Sequence, residues 1–124
     1  MSAGDFQPTY ISVSRDDDVS IVKFTLSLFT DEENVEQLGR ELFVLIDKIG
    51  CRKIVLNMAG VRYVTSSVLG KLISMHRKLH RGEGQLVICG VGEELDEIMS
   101  KSRLDQYFHL ADDVPAAVSI MAGS

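Results

Sequence analysis

The chain has 124 residues, 45% of them apolar and 25% charged, the proportions of one soluble globular domain with a single core and no room for a second. Net charge is −5, Trp is absent and no basic run occurs, which argues against nucleic acid or an anionic membrane as the main partner. The longest apolar run, Leu42 to Ile46, spans five residues and is too short for a membrane span, and the opening MSAGDFQPTYISVS lacks the basic start and apolar stretch of a secretory signal. Cytoplasmic residence is therefore expected.

Residues 1–9 carry Gly4 and Pro8 with no apolar periodicity and read as a loose tail; residues 10–124 read as the domain. Two strands follow, Tyr10 to Ser14 and Val19 to Leu28, joined by Arg15-Asp16-Asp17-Asp18 as an antiparallel hairpin. The aspartate run lacks the glycine and later ligands of a calcium loop, so a solvated turn is the better reading. Thr30 with Glu33 three residues on has the form of a capping box, and a helix is expected from about Asp31 to Ile49, stopped by Gly50. Its core face comprises Val35, Leu38, Leu42, Leu45, Ile46 and Ile49, with Val44 on the opposite, exposed side.

The stretch Lys53 to Leu72 organises the rest. Ile54-Val55-Leu56 reads as a strand buried on both faces. A loop with Gly60 as its turn signal leads to Thr65-Ser66-Ser67, and a helix with Val68, Leu72, Met75 and Leu79 on one face runs from Ser66 to about Arg81. Hydroxyls thus stand at a helix N-terminus, where free N–H groups and the dipole favour a capping oxygen or an added phosphate. Gln85 to Cys89 is a further buried strand, Glu93 to Ser100 a short helix, Phe108 to Leu110 an edge strand, and Val114 to Met121 a last helix with Pro115 in its first turn. After the hairpin the order alternates helix and strand. It predicts an α/β fold: a mixed, mostly parallel sheet of about five strands with four helices. Cys51 starts one strand and Cys89 ends another, so in a parallel sheet the thiols lie too far apart to bridge and are expected reduced.

From Ile54-Val55-Leu56-Asn57 through Ser66-Ser67-Val68-Leu69-Gly70 the sequence resembles a STAS domain, the module of bacterial anti-sigma factor antagonists. In that family a strand leads into a D-S-[ST]-G-L-G type loop at a helix start, and the serine after the aspartate is phosphorylated. The resemblance places that serine at Ser66, with Leu69-Gly70 matching the motif's end, and the element order agrees from about residue 10 to residue 121. Two positions depart. Thr65 stands where the family has aspartate, able to cap the helix but without the charge, and Val68 replaces the first glycine with a bulkier, stiffer residue.

What the resemblance implies is a partner switch. The unphosphorylated protein binds an anti-sigma factor, usually a serine kinase, which phosphorylates it at Ser66 (or failing that Ser67 or Thr65) and so releases itself. On the helix wheel Ser66, Gly70, Ile73 and Arg77 form one line, bordered by Ser67, Lys71, Ser74 and Lys78. Thr65, Ser66, Ser67, Gly70, Ile73, Ser74 and Arg77 are the expected partner contacts, Gly70 permitting close approach and Ile73 serving as anchor. Two other readings stand beside it: a constitutive interaction module that has lost the switch, favoured by Thr65 and Val68, and small-ligand or nucleotide binding at the same loop.

Enzymatic readings fail on specifics. Val64-Thr65-Ser66-Ser67-Val68 is not a G-x-S-x-G elbow, so a hydrolase is not expected. His76 and His80 have zinc-compatible spacing, but Arg77 stands where H-E-x-x-H needs glutamate, and they fit an amphipathic helix flank better. His109 is expected near the surface of a strand. No Walker-type glycine loop is present, so any kinase activity belongs to the partner. No metal or cofactor is expected.

Overall fold

The computed structural model describes residues 6–122, and the sheet is its frame. Strands β1 (Ile11–Asp16), β2 (Val19–Phe24), β4 (Lys53–Asn57), β6 (Gln85–Cys89) and β7 (His109–Ala111) form a five-stranded sheet in the order β1-β2-β4-β6-β7. The β1–β2 pair is antiparallel and every later pairing is parallel. Helices α1 (Glu32–Val44), α2 (Ser66–Arg81) and α3 (Glu93–Lys101) supply residues to the larger core on one face. On the other face α4 (Val114–Ala122) places Ala117 and Met121 against Val19, Val55, Val87 and Cys89. The expected α/β architecture is the observed one.

β4 is central because its apolar run serves both layers. Ile54 and Leu56 point into the larger core and Val55 into the smaller one, all fully buried. Alternation along a strand sends neighbouring side chains to opposite faces, so an unbroken apolar run demands cover on both. Cys51, just before β4, and Cys89, at the end of β6, are both free and buried. Burial, with Asp113 as a lesser cause, pushes the Cys89 thiol up in pKa, which keeps it protonated and unreactive.

Four sequence expectations are corrected. The second strand ends at Phe24, not Leu28, and residues 28–29 form a separate strand, β3 (Leu28–Phe29). β3 pairs in parallel with β5 (Tyr63–Val64), which lies inside the stretch read as loop, so a second, two-stranded sheet flanks the first. The hydroxyl of Thr30 does not cap α1. Asp31 is the N-cap, extended in backbone, and its carboxylate accepts the Asn34 N–H at 3.2 Å. The α-helix itself stops at Val44, and residues 45–49 continue as a π-helical turn that Gly50 ends in the left-handed region (φ 85°). Val44 is half-buried, and Ile49 packs partly buried against the larger core as its place on the core face implies.

Of the segment read as a tail, residues 1–5 lie outside the described residues. Phe6 packs against the larger core, and the backbone of Thr9 and Tyr10 is anchored by Glu41. That carboxylate, 3% exposed on α1, accepts the Thr9 N–H (2.9 Å), the Tyr10 N–H (2.8 Å) and the Gln37 amide (2.9 Å). Removing it strands two part-buried backbone donors. Glu41→Ala is expected to cost about 2–4 kcal/mol in urea unfolding, and Glu41→Gln, which keeps one acceptor, about half as much.

Candidate functional site

The segment from Asn57 to Thr65 carries the chain from β4 to α2 along the carboxyl ends of the parallel strands, the edge where α/β sheets present their sites. It is pinned throughout. The Asn57 side chain accepts the Ala59 N–H (3.0 Å), the Met58 N–H donates to the Cys89 carbonyl (2.8 Å), and Gly60 turns in the left-handed region (φ 86°). The Arg62 N–H donates to the Ser27 carbonyl (2.7 Å) and the Thr65 N–H to the Phe29 carbonyl (3.2 Å). Gly90, also left-handed (φ 70°), lies so close that a Cβ there would stand 2.8 Å from Asn57 Oδ1 and 3.0 Å from the Ala59 nitrogen. These contacts fix where α2 begins.

α2 starts at Ser66, with Thr65 as its N-cap in extended conformation. The Val68 and Leu69 N–H groups both donate to the Thr65 carbonyl (3.1 and 3.2 Å). The Ser66 and Ser67 N–H groups and hydroxyls have no partner among the described residues, and both residues are exposed. Thr65 occupies the capping position without capping: its Oγ1 is buried and makes no hydrogen bond among the described residues. The cap that Thr65 is able to supply is thus not made by its hydroxyl. Val68 is fully buried within the larger core, so its bulk goes inward and leaves the serine surface clear.

Along α2, Gly70 and Ser74 are exposed and a Cβ at Gly70 would meet nothing within 4 Å. Arg77 is exposed and forms no ion pair among the described residues. Ile73 is half-buried and packs on the core, so only part of its surface remains for a partner. Lys71 is held by Glu36 (3.2 Å) and Lys78 by Asp47 (3.1 Å), which ties α2 to α1 and its π-helical turn.

Sequence reasoning missed two apolar side chains beside the serines. Leu28 and Tyr63 face each other across the β3–β5 pair, 50% and 47% exposed, where Val64 leads directly into Thr65 and Ser66. With Arg62, Glu94, Ile98 and Lys101 they line a shallow cavity of about 540 Å³, and Arg62 pairs with Glu94 at 2.9 Å. The signal lay in the β-prone Leu28-Phe29 and Tyr63-Val64 pairs, too short for periodicity to register.

The histidines of α2 form a separate cluster. The rings of His76 and His80 are stacked at 6.4 Å, and His76 also lies 4.9 Å from Tyr107. His76 Nδ1 is buried without a partner among the described residues, and burial, then His80, then His109 hold the His76 pKa below its usual value of 6.5. No group of three metal-ligating side chains occurs among the described residues.

A family model of the STAS domain matches residues 10–117. The chain, with its antiparallel hairpin feeding a parallel sheet, belongs to the STAS domain family. It is 30% identical over 86 residues to BtrV of Bordetella bronchiseptica, which carries the name of an anti-sigma factor antagonist; the match covers 69% of this chain and 73% of that one. The fold is also that of an anti-sigma-factor antagonist (STAS) domain protein from Planctomyces limnophilus (TM-score 0.78, 20% identity, 90% of this chain and 97% of that one). It is likewise that of the anti-sigma factor antagonist SpoIIAA in its unphosphorylated form (TM-score 0.69, 15% identity, 92% and 99%).

Two outcomes follow from the geometry. Because the Thr65 hydroxyl is buried without a partner, Thr65→Val is expected to unfold in urea within about 0.5 kcal/mol of the parent or above it, whereas a working cap would cost about 1 kcal/mol when removed. Because the fold lowers the His76 pKa, the unfolded chain binds the extra proton between the two values. Stability is then full above the unfolded value of 6.5 and falls as pH drops through 6.5 towards the lowered folded value. His76→Phe should flatten that slope in urea midpoints recorded between neutral and mildly acidic pH.

Proposed function

We propose that this protein is an anti-sigma factor antagonist that binds its anti-sigma factor through the start of α2 and is released when Ser66 is phosphorylated. The observation that carries the reading is the state of Ser66: exposed, its hydroxyl unengaged, at a helix N-terminus whose first two N–H groups have no partner among the described residues. The family membership and the names of the relatives support the antagonist role. A serine kinase as the anti-sigma factor follows from the same reading, as does an antagonist with no catalytic activity of its own, working in the cytoplasm.

The chemistry is workable at this position. A phosphate brings about −1.5 to −2 charge and strong acceptor oxygens, which the free N–H groups and the positive end of the α2 dipole can hold. The fold survives, while the binding surface gains a dianion that a partner without a basic pocket would have to desolvate. Ser66, Ser67, Ser74 and Arg77 supply the polar contacts, Gly70 permits close approach, and the exposed parts of Leu28, Tyr63 and Ile73 supply the apolar ones. Thr65, in place of the family aspartate, favours a second reading: a constitutive interaction module without the switch.

The deciding experiment is intact mass and phosphosite mapping of the protein from its own cells, with co-purifying partners identified. A kinase-type partner held only by the unmodified form, with phosphate on Ser66, is the expected outcome; a partner held equally by both forms assigns the module reading. In the purified complex, Ser66→Asp is expected to weaken binding about 30-fold or more, the scale of an interface hot spot. Gly70→Ala should separate fold from interface, raising stability by up to about 1 kcal/mol while weakening the partner.

A further inference from the structure

At the end of the sheet opposite the serines, a cavity of about 220 Å³ lies where β1, β2 and the π-helical turn meet. Val13 comes from β1, Leu45 and Ile49 from the two ends of that turn, and Phe6 and Pro8 from the segment that Glu41 anchors nearby. Besides Arg15, two polar groups belong to the lining, Ser20 and Cys51, and they pair with each other: the Ser20 hydroxyl, on a residue 1% exposed, donates to Cys51 Sγ at 3.3 Å. Away from Arg15, an occupant therefore meets a mostly apolar surface. At the rim stands Arg15, exposed, its side chain without an ion pair or hydrogen bond among the described residues, while Asp18 of the adjoining turn is taken by Lys53 at 3.2 Å.

We infer that this cavity is a binding site for a medium-chain carboxylate, its alkyl chain among Val13, Leu45 and Ile49 and its head group on Arg15. An apolar lining excludes inorganic anions and sugars, which would lose their hydration for nothing in return. A single rim cation matches one carboxylate and is too little for a polyphosphate. A cavity of 150 Å³ holds benzene, so 220 Å³ has room for roughly six to nine carbon atoms. The π-helical turn contributes to the site directly, because it supplies both Leu45 and Ile49. Such local widening of a helix is frequent at functional sites. The inference does not depend on the Ser66 reading, since no residue is shared between the two sites.

The test is methyl-resolved NMR titration of the intact protein with octanoate, octanol and propionate in parallel. Octanoate is expected to bind with a Kd of about 1 mM or tighter, shifting the methyl signals of Val13, Leu45 and Ile49 in one saturable set. Propionate, too short to fill the cavity, should leave them unmoved. Arg15→Gln, an exposed substitution that spares the fold, should weaken octanoate about two- to fivefold and leave octanol unchanged. Ile49→Trp should fill the space and abolish both. Octanoate shifts that are absent, spread over the surface or indifferent to Ile49→Trp overturn the assignment, as does equal binding of octanoate and octanol. A concentration-dependent dimer that moves the same methyl groups without ligand assigns the cavity to a second copy of the chain and also overturns it.

Discussion

The double burial of β4 is the constraint on which the rest of the molecule depends. A strand whose successive side chains are all apolar cannot lie at a surface, so it must have a paired strand on each side and a helical layer on each face. β2 and β6 provide the pairing, α1 and α2 cover Ile54 and Leu56, and α4 covers Val55. Parallel pairing then requires crossovers, and each crossover returns the chain over a face that needs covering. The order of elements is in this sense a consequence of Ile54-Val55-Leu56.

The same constraint positions the candidate site. Because β4 is locked in the sheet, the segment after it can be tied down at several backbone points, to Ser27, Phe29 and Cys89, before α2 begins. Val68 and Leu69 then turn inward and Ser66 and Ser67 outward within a single helical turn. Fixing exposed hydroxyls to a buried scaffold makes a local covalent change readable by a partner without requiring the fold to move. The Thr65 hydroxyl runs against this tidy picture, buried at the capping position and bonded to nothing among the described residues.

At the other end of the molecule the packing is less regular. α1 opens into a π-helical turn just where the 6–10 segment, β1 and β2 meet, and the buried Glu41 carboxylate binds that segment's backbone to α1. A buried carboxylate costs desolvation that only full hydrogen bonding offsets, and three donors supply it here. The two ends of the sheet thus carry different chemistry: polar and exposed at the serines, apolar and recessed near Cys51.

What the sequence by itself determined were the elements whose signal is local. The apolar runs of β4 and β6 and the 3.6-residue stripe of α2 appear where the pattern puts them, and α2 begins at Ser66 and ends at Arg81 as read. The resemblance to the STAS family drew attention to Ser66, and the exposure of that side chain is a local matter of helix phase. Tertiary structure decided what depends on pairing between distant segments. β3 and β5 are two residues each, strands only because Leu28-Phe29 and Tyr63-Val64 find one another, and no periodicity can announce a strand that short. The choice of Asp31 over Thr30 as cap, the π-helical turn, and the anchoring of Thr9 and Tyr10 by Glu41 were decided in the same way. Each turns on which backbone N–H or carbonyl group lies within hydrogen-bond reach once the layers have closed, and sequence spacing along one segment does not contain that distance.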